Sequence, residues 1–179
     1  TVGEDLGLFF TDQGGAVKAF GDRATEAGLS ENDIVTEING VPAGDLVFDL
    51  PFGKVSAEIC EDLWSTNSPA GPRARAGAEI ICNPSGSPFT PLKNEHRRKL
   101  IMGASSGFQC VYAYSNILGL DNSRLVFDGG GFIATPDGSV VEGPLLSKKY
   151  WTLTTSVVDL DDISRQRAEN TTWRLDVSR

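Results

Sequence analysis

The sequence predicts a layered α/β domain, and three features of residues 46–179 support it. Short apolar and β-branched runs alternate with segments of helical periodicity. The first half of this region has the order strand, helix, strand, helix, strand, which is typical of a sheet covered by helices. The second half carries turn signals such as Asp137-Gly138, which favour hairpins.

Eight strands are predicted from apolar runs bounded by glycine, proline or polar residues. They cover residues 46–50, 55–59, 78–82, 110–114, 125–127, 131–135, 139–142 and 151–158. The strand at 55–59 is expected to be central in the sheet. Residues 83–91 are rich in proline, serine and glycine and are expected to form a loop.

Three helices complete this pattern. A short one is expected within 66–77, where Pro69 and Pro72 limit its start. The next is expected to begin at Asn94, an N-capping residue type, and to end at Phe108. Its apolar side chains share one face, at Leu100, Ile101, Ala104 and Phe108. The last begins at 159–162, where acidic residues complement the positive end of a helix.

Residues 1–44 have a different pattern and are treated as a separate N-terminal segment, with the main domain at 45–179. Strands are predicted at 6–10, 16–20 and 34–38, and a short helix at 23–28. Asn39-Gly40 is a strong turn signal. The segment is either an insertion or a partial domain of another type.

Composition limits the class of protein. The chain has 179 residues, 40% of them hydrophobic, and a net charge of −8, so a soluble core is expected and nucleic acid is an unfavourable partner. The apolar runs fall short of the roughly 20 residues needed to span a membrane. No signal peptide is visible, and three cysteines without metal-like spacing indicate reduced thiols in the cytoplasm and no metal site.

Cys60 is the most informative residue. It follows the predicted strand 55–59 and precedes the polar run Glu61-Asp62. Such a position lies at the carboxyl edge of a sheet, where open α/β sheets bind ligands. A thiolate that attacks a carbonyl group needs this exposure and nearby backbone N–H groups. The alternative is a buried, inert cysteine.

Cys60 belongs to the run Glu58-Ile59-Cys60-Glu61-Asp62-Leu63-Trp64. Later segments of similar specificity follow at 77–81, 83–88, 128–130, 134–138 and 158–162, and then Arg165 and Arg167. Through this run and these segments, in the same order, residues 45–179 resemble the glutaminase domain of glutamine-dependent NAD synthetases, a branch of the nitrilase or carbon–nitrogen hydrolase superfamily. The resemblance implies an α-β-β-α sandwich, present here only in part.

The family resemblance also implies a mechanism. Its members use a Glu-Lys-Cys triad, in which the cysteine forms a thioester with the glutamyl group and ammonia leaves. Cys60 takes the position of the nucleophile. The triad Glu and Lys have no matching context in this sequence, where Lys18 and Lys54 do not fit, so this chain alone is expected to be inactive.

Substrate contacts are implied by the same resemblance. Ser87 matches a glutamine-binding serine, and Lys93 matches a position suited to the substrate carboxylate. The alternatives are a turn residue before Pro88 and a solvated lysine. Two weaker candidates are the Glu61 N–H as an oxyanion donor and Trp64 as a wall of the pocket, and the alternative for Trp64 is an ordinary core residue. His96, Arg97, Arg98 and Lys99 are expected to form a solvated basic face.

The implied partners are L-glutamine, a synthetase domain of the same polypeptide and further copies of the chain. No cofactor is expected in this domain, whereas ATP and Mg²⁺ are expected for the synthetase domain. Residues 5–44 resemble part of a PDZ domain, on Leu6-Gly7-Leu8-Phe9 and Ile38-Asn39-Gly40. An inactive nitrilase-like scaffold, a peptide-binding module and an amidase of another nitrilase branch therefore remain alternative functions.

Overall fold

The computed structural model describes residues 46–121 and 124–178, and the backbone of four short strands that precede them. The chain divides into two compact units, Thr1–Ala43 and Gly44–Arg179. In the first unit, β1 (Gly7–Phe10) pairs antiparallel with β2 (Val17–Phe20). β3 (Glu37–Ile38) pairs antiparallel with β4 (Val41–Pro42), and the predicted turn at Asn39-Gly40 lies outside the described residues.

The predicted helix at 23–28 lies outside the described residues, as does most of the segment interpreted as PDZ-like. The assignment of the two segments to separate domains therefore stays a prediction.

A six-stranded mixed sheet forms the centre of the second unit. Its strands are β5 (Phe48–Leu50), β6 (Gly53–Ala57), β7 (Ile80–Ser85), β8 (Val111–Asn116), β11 (Gly131–Ala134) and β12 (Val140–Glu142). Their spatial order is β12-β11-β8-β7-β6-β5. β6, β7 and β8 are parallel, and the remaining pairs are antiparallel. A separate hairpin joins β9 (Leu118–Leu120) to β10 (Val126–Asp128).

Within the described part of the chain, four helices and one 3₁₀ helix accompany the sheet. They are the 3₁₀ helix (Cys60–Trp64), α1 (Ala70–Arg75), α2 (Lys93–Phe108), α3 (Leu160–Glu169) and α4 (Thr171–Val177). Asp159 caps α3, because its side chain accepts a hydrogen bond from the Asp161 N–H. Among the described residues, no helix is both long and apolar enough to cross a lipid bilayer.

One face of the sheet forms the hydrophobic core. Ile81, Tyr112 and Phe132 project from neighbouring strands and are almost fully buried. The apolar stripe of α2 packs on them, with Ile101 buried and Leu100, Ala104 and Phe108 at its margin. The predicted helix face is therefore confirmed.

Several predicted boundaries were wrong. Residues 151–158 form no strand, since their backbone joins no ladder among the described residues and Trp151, Leu153 and Val157 are exposed. β7 continues to Ser85, because β8 supplies a hydrogen-bonding partner beyond the apolar run. β7 and β8 are central, whereas β6 is second from the edge of the sheet.

The start of α2 was also predicted wrongly. The helix begins at Lys93, and the capping position is Leu92 in a left-handed conformation with φ 64°. Asn94 therefore lies within the first turn instead of capping it. Its Oδ1 atom is buried and has no hydrogen-bond partner within the described residues.

Candidate functional site

Cys60 stands where β6 has ended and the 3₁₀ helix begins. Parallel pairing with β7 continues one residue beyond β6, because the Glu58 N–H donates to the Cys82 carbonyl at 3.0 Å. Cys60 then adopts left-handed backbone with φ 49° and is partly exposed. Such backbone costs a non-glycine residue about 1–3 kcal/mol and is common at functional sites. The turn therefore holds this thiol at the carboxyl edge of the sheet.

The backbone amides of this turn have separate uses. The Cys60 N–H donates to Asn83 Oδ1 at 3.1 Å. The Asp62 N–H donates to the Ile59 carbonyl at 3.0 Å, within the turn. The Glu61 N–H has no acceptor among the described residues. It is thus the amide beside the thiol that is free to bind an oxyanion.

A buried carboxylate lies behind the turn. The Glu58 side chain accepts hydrogen bonds from Ser68 Oγ at 2.6 Å and from the Ala70 N–H at 3.0 Å. It also accepts a short hydrogen bond from the Tyr112 hydroxyl. Burial, followed by the nearby Glu58 charge, raises the pKa of Tyr112, so this hydroxyl stays protonated.

Ser87 belongs to a second buried group, the ion-pair cluster of Arg97, Asp128, Ser87 and Asn116. Arg97 is fully buried and donates to both Asp128 carboxylate oxygens at 2.9 Å. It also donates to Ser87 Oγ at 3.2 Å and to the Ser87 carbonyl at 2.9 Å. Asn116 binds the Ser87 backbone from the other side, at its N–H and its carbonyl. The loop that carries Ser87 is therefore held firmly, and the Ser87 side chain itself is buried.

Lys93 and Trp64 meet in an open cleft of about 280 Å³, hereafter the aromatic cleft. Lys93 Nζ lies 5.6 Å from the centre of the Trp64 ring, and the His96 ring lies at the same distance. Thr90, Pro91 and Leu92 complete the lining. The volume is near the lower limit of the roughly 300–1,000 Å³ typical of ligand pockets. Cys60 and Ser87 are not among the lining residues of this cleft.

The other two thiols have different surroundings. Cys110 is fully buried, and burial raises its pKa to about 12. Burial also raises the pKa of Cys82, which is partly exposed in β7. Both thiols are therefore protonated and unreactive near neutral pH. Among the described residues, no three His, Cys, Asp or Glu side chains lie close enough to share a metal ion.

Sequence reasoning missed four residues around the site. Arg97 was predicted to be solvated, but it is buried, because it lies four residues before Ile101 on the inward face of α2. That spacing was a signal that could have placed it. Glu58 was quoted only as part of a motif, and Asn83 was assigned to a loop. Tyr112 gave no signal, since a tyrosine in an apolar strand resembles ordinary core.

Comparison with known proteins shows the family. Residues 20–168 match the family described as Carbon-nitrogen hydrolase. The chain belongs to the carbon–nitrogen hydrolase family. The predicted family resemblance and the nitrilase-type α/β fold class are thereby confirmed, as is the assignment to an enzyme family.

Two curated relatives of this carbon–nitrogen hydrolase chain have the name glutamine-dependent NAD(+) synthetase. The chain is 33% identical to the glutamine-dependent NAD(+) synthetase of Mus musculus, over 81% of the chain and 20% of the mouse protein. It is 35% identical to the Dictyostelium discoideum enzyme of that name, over 75% of the chain and 19% of the relative. The chain thus spans about a fifth of the length of these curated relatives.

Solved structures give the same result. The glutamine-dependent NAD(+) synthetase of Cytophaga hutchinsonii matches with a TM-score of 0.53 and 32% identity, over 62% of this chain and 17% of that one. The enzyme of Acinetobacter baumannii matches with a TM-score of 0.54 and 25% identity, over 58% and 20% of the two chains.

Proposed function

We propose that this chain is the glutamine-hydrolysing part of a glutamine-dependent NAD synthetase, with Cys60 as its nucleophile. The observation that carries the proposal is the local geometry of Cys60. A partly exposed thiol stands at the carboxyl end of a parallel strand, in left-handed backbone, beside the free Glu61 N–H. The names of the curated relatives supply the reaction class.

The proposed chemistry has two stages. The Cys60 thiolate attacks the carboxamide carbon of glutamine, a C–S bond forms, and the carbonyl oxygen takes up the negative charge. The Glu61 N–H donates to that oxygen. Breakage of the C–N bond then releases ammonia, once its nitrogen has gained a proton, and leaves a glutamyl thioester. Water attacks the thioester, glutamate is released and the thiol is regenerated.

The base and the lysine of the triad are not assigned to residues of this chain. The family resemblance implies a Glu and a Lys, but no segment here matches them. We therefore propose that activity requires the longer polypeptide.

The aromatic cleft supports a substrate role for two of the predicted residues. Trp64 forms one wall, and the Lys93 ammonium group lies over its ring, where it is accessible to an anion. We propose that Lys93 binds the α-carboxylate of glutamine and that Ser87 donates its hydroxyl proton to the same substrate. Ser87 suits that role because Arg97 and Asn116 fix its position.

The ammonia has a proposed consumer in the same polypeptide. A synthetase domain would use ATP and Mg²⁺ to activate nicotinic acid adenine dinucleotide, which ammonia then amidates. The chain spans about a fifth of its curated relatives, which leaves room for such a domain in proteins of their length. Assembly into a homo-oligomer is proposed on the family resemblance alone.

The experiment is a nitrogen-donor comparison in the full-length polypeptide. We expect Cys60→Ala to abolish NAD synthesis from glutamine and to leave synthesis from ammonium salts largely unchanged, since the thiol only generates ammonia. Cys82→Ala removes a partly exposed thiol of β7 that has no proposed role, so it serves as the matched control and should retain both activities. Equal loss with both nitrogen donors would refute the proposal. If the unmodified polypeptide hydrolyses other amides but not glutamine, an amidase of another nitrilase branch is favoured.

A further inference from the structure

An unbroken chain of hydrogen bonds leads from a buried carboxylate to the backbone of Cys60. Glu58 accepts from the Tyr112 hydroxyl, which accepts from Asn83 Nδ2 at 3.0 Å, and Asn83 Oδ1 accepts from the Cys60 N–H at 3.1 Å. We propose that Glu58, Tyr112 and Asn83 form a positioning relay that fixes the Cys60 turn. This inference rests on the proposed function, in which Cys60 is the nucleophile.

Strand register places the relay on one face of the sheet. Ala57 pairs with Cys82 in the parallel ladder, so Glu58 and Asn83 lie side by side one residue further along. Ile81 pairs with Tyr112, which puts the tyrosine on the same face. All three relay residues are almost fully buried, so bulk water does not compete for these hydrogen bonds.

The direction of every bond in the relay follows from donor and acceptor chemistry. The Tyr112 hydroxyl has a single proton, and it donates that proton to Glu58. The tyrosine oxygen must then accept, and Asn83 meets it with its amide NH₂ group. The Asn83 carbonyl oxygen consequently faces the Cys60 N–H, and it also accepts from Ser85 Oγ at 2.7 Å. The buried carboxylate thus dictates which way the Asn83 amide points.

The relay has a specific mechanical consequence. Cys60 has the left-handed backbone that a non-glycine residue adopts only when its surroundings require it. Asn83 Oδ1 accepts a hydrogen bond from the Cys60 N–H, which stabilises this backbone conformation. The same hydrogen bond makes the Cys60 N–H unavailable to the substrate. The neighbouring Glu61 N–H is left free for the oxyanion, and the thiol is aimed in a fixed direction.

Tyr112→Phe tests the relay in the full-length polypeptide. It removes one hydroxyl and preserves the ring, while Ser68 and the Ala70 N–H still hold Glu58. The Asn83 NH₂ group loses its buried acceptor and the side chain is held less tightly, so we expect kcat for glutamine hydrolysis to fall roughly ten- to a hundred-fold while KM changes less than about two-fold. Tyr150→Phe is the control. It removes the hydroxyl of an exposed tyrosine that is not part of the relay, and kcat should stay within about two-fold.

Glu58→Gln provides a second, isosteric variant. The Ala70 N–H and Ser68 Oγ donate to one oxygen of residue 58, so the substituted side chain would keep its oxygen there and turn its NH₂ group toward Tyr112. The tyrosine proton would then point to Asn83, the Asn83 amide would flip, and its NH₂ would face the Cys60 N–H. We expect a loss of kcat at least as large as that of Tyr112→Phe, although the volume of the side chain is unchanged.

Failure of the relay and failure of the proposed function give different results. If Cys60→Ala retains glutamine hydrolysis, the proposed function is wrong, and the relay proposal, which depends on it, is wrong as well. If Cys60→Ala is inactive but Tyr112→Phe and Tyr150→Phe have equal kcat values, the relay alone is wrong. A rise in KM at constant kcat in Tyr112→Phe, or wild-type kcat in Glu58→Gln, would also overturn it.

Discussion

Two of the cations in the first two turns of α2 have opposite surroundings. Arg97 is fully buried and forms a two-point ion pair with Asp128, whereas Lys93 lies partly exposed over the Trp64 ring. The guanidinium group of Arg97 is saturated by carboxylate and carbonyl oxygens of the protein. The ammonium group of Lys93 has no carboxylate partner among the described residues. The buried cation therefore shapes the Ser87 loop, and the exposed cation remains available for a ligand.

The largest effect expected from this comparison is on stability at the ion-pair cluster. Asp128→Ala leaves the Arg97 charge buried without its partner, which costs about 3–5 kcal/mol. We expect the opening free energy of α2, measured by hydrogen exchange in the full-length polypeptide, to fall by about that amount. Glu142→Ala is the matched control, since it removes the partly exposed partner of the next residue, Arg98, and should cost less than about 1 kcal/mol. Equal losses of free energy in the two variants would contradict the distinction between the buried Arg97–Asp128 pair and the partly exposed Arg98–Glu142 pair.

A smaller effect is expected on substrate binding at Lys93. A charge-assisted hydrogen bond to the glutamine carboxylate contributes about 1.5–3 kcal/mol. Lys93→Ala should therefore lower kcat/KM for glutamine about ten- to a hundred-fold, mainly through KM, because the contact is to a non-reacting part of the substrate. Lys99→Ala, an exposed lysine of the same helix, is the control and should leave KM unchanged. A wild-type KM in Lys93→Ala would remove Lys93 from the site.

The fold was predictable where periodicity and burial coincide. The strand–helix alternation, the apolar stripe of α2 and the hairpin at Asp137-Gly138 all follow from side-chain spacing. The segment 151–158 was not predictable in this way. Its composition favours a strand, but a strand forms only where a neighbouring strand completes its backbone hydrogen bonds.

The site was predictable only in part, for a related reason. Cys60 and Trp64 lie close together in the sequence, and a local motif was enough to select them. The relay joins residues up to 54 positions apart, Glu58 and Tyr112, and depends on strand register. Register cannot be read from one sequence. Arg97 was misassigned because its charge suggested solvent, whereas its helical phase placed it beside Ile101.

The central claim is that Cys60 alone among the three thiols attacks glutamine. Its most direct test is reaction of the full-length polypeptide at about pH 8 with an electrophilic diazoketone analogue of glutamine, followed by peptide mass spectrometry. We predict one adduct, on Cys60, whose formation excess glutamine suppresses. Cys82 and Cys110 should stay unmodified until the protein is denatured, because burial raises the pKa of both thiols, that of Cys110 to about 12. Adducts on Cys82 or Cys110 at a comparable rate, or labelling of Cys60 that glutamine does not slow, would contradict the account.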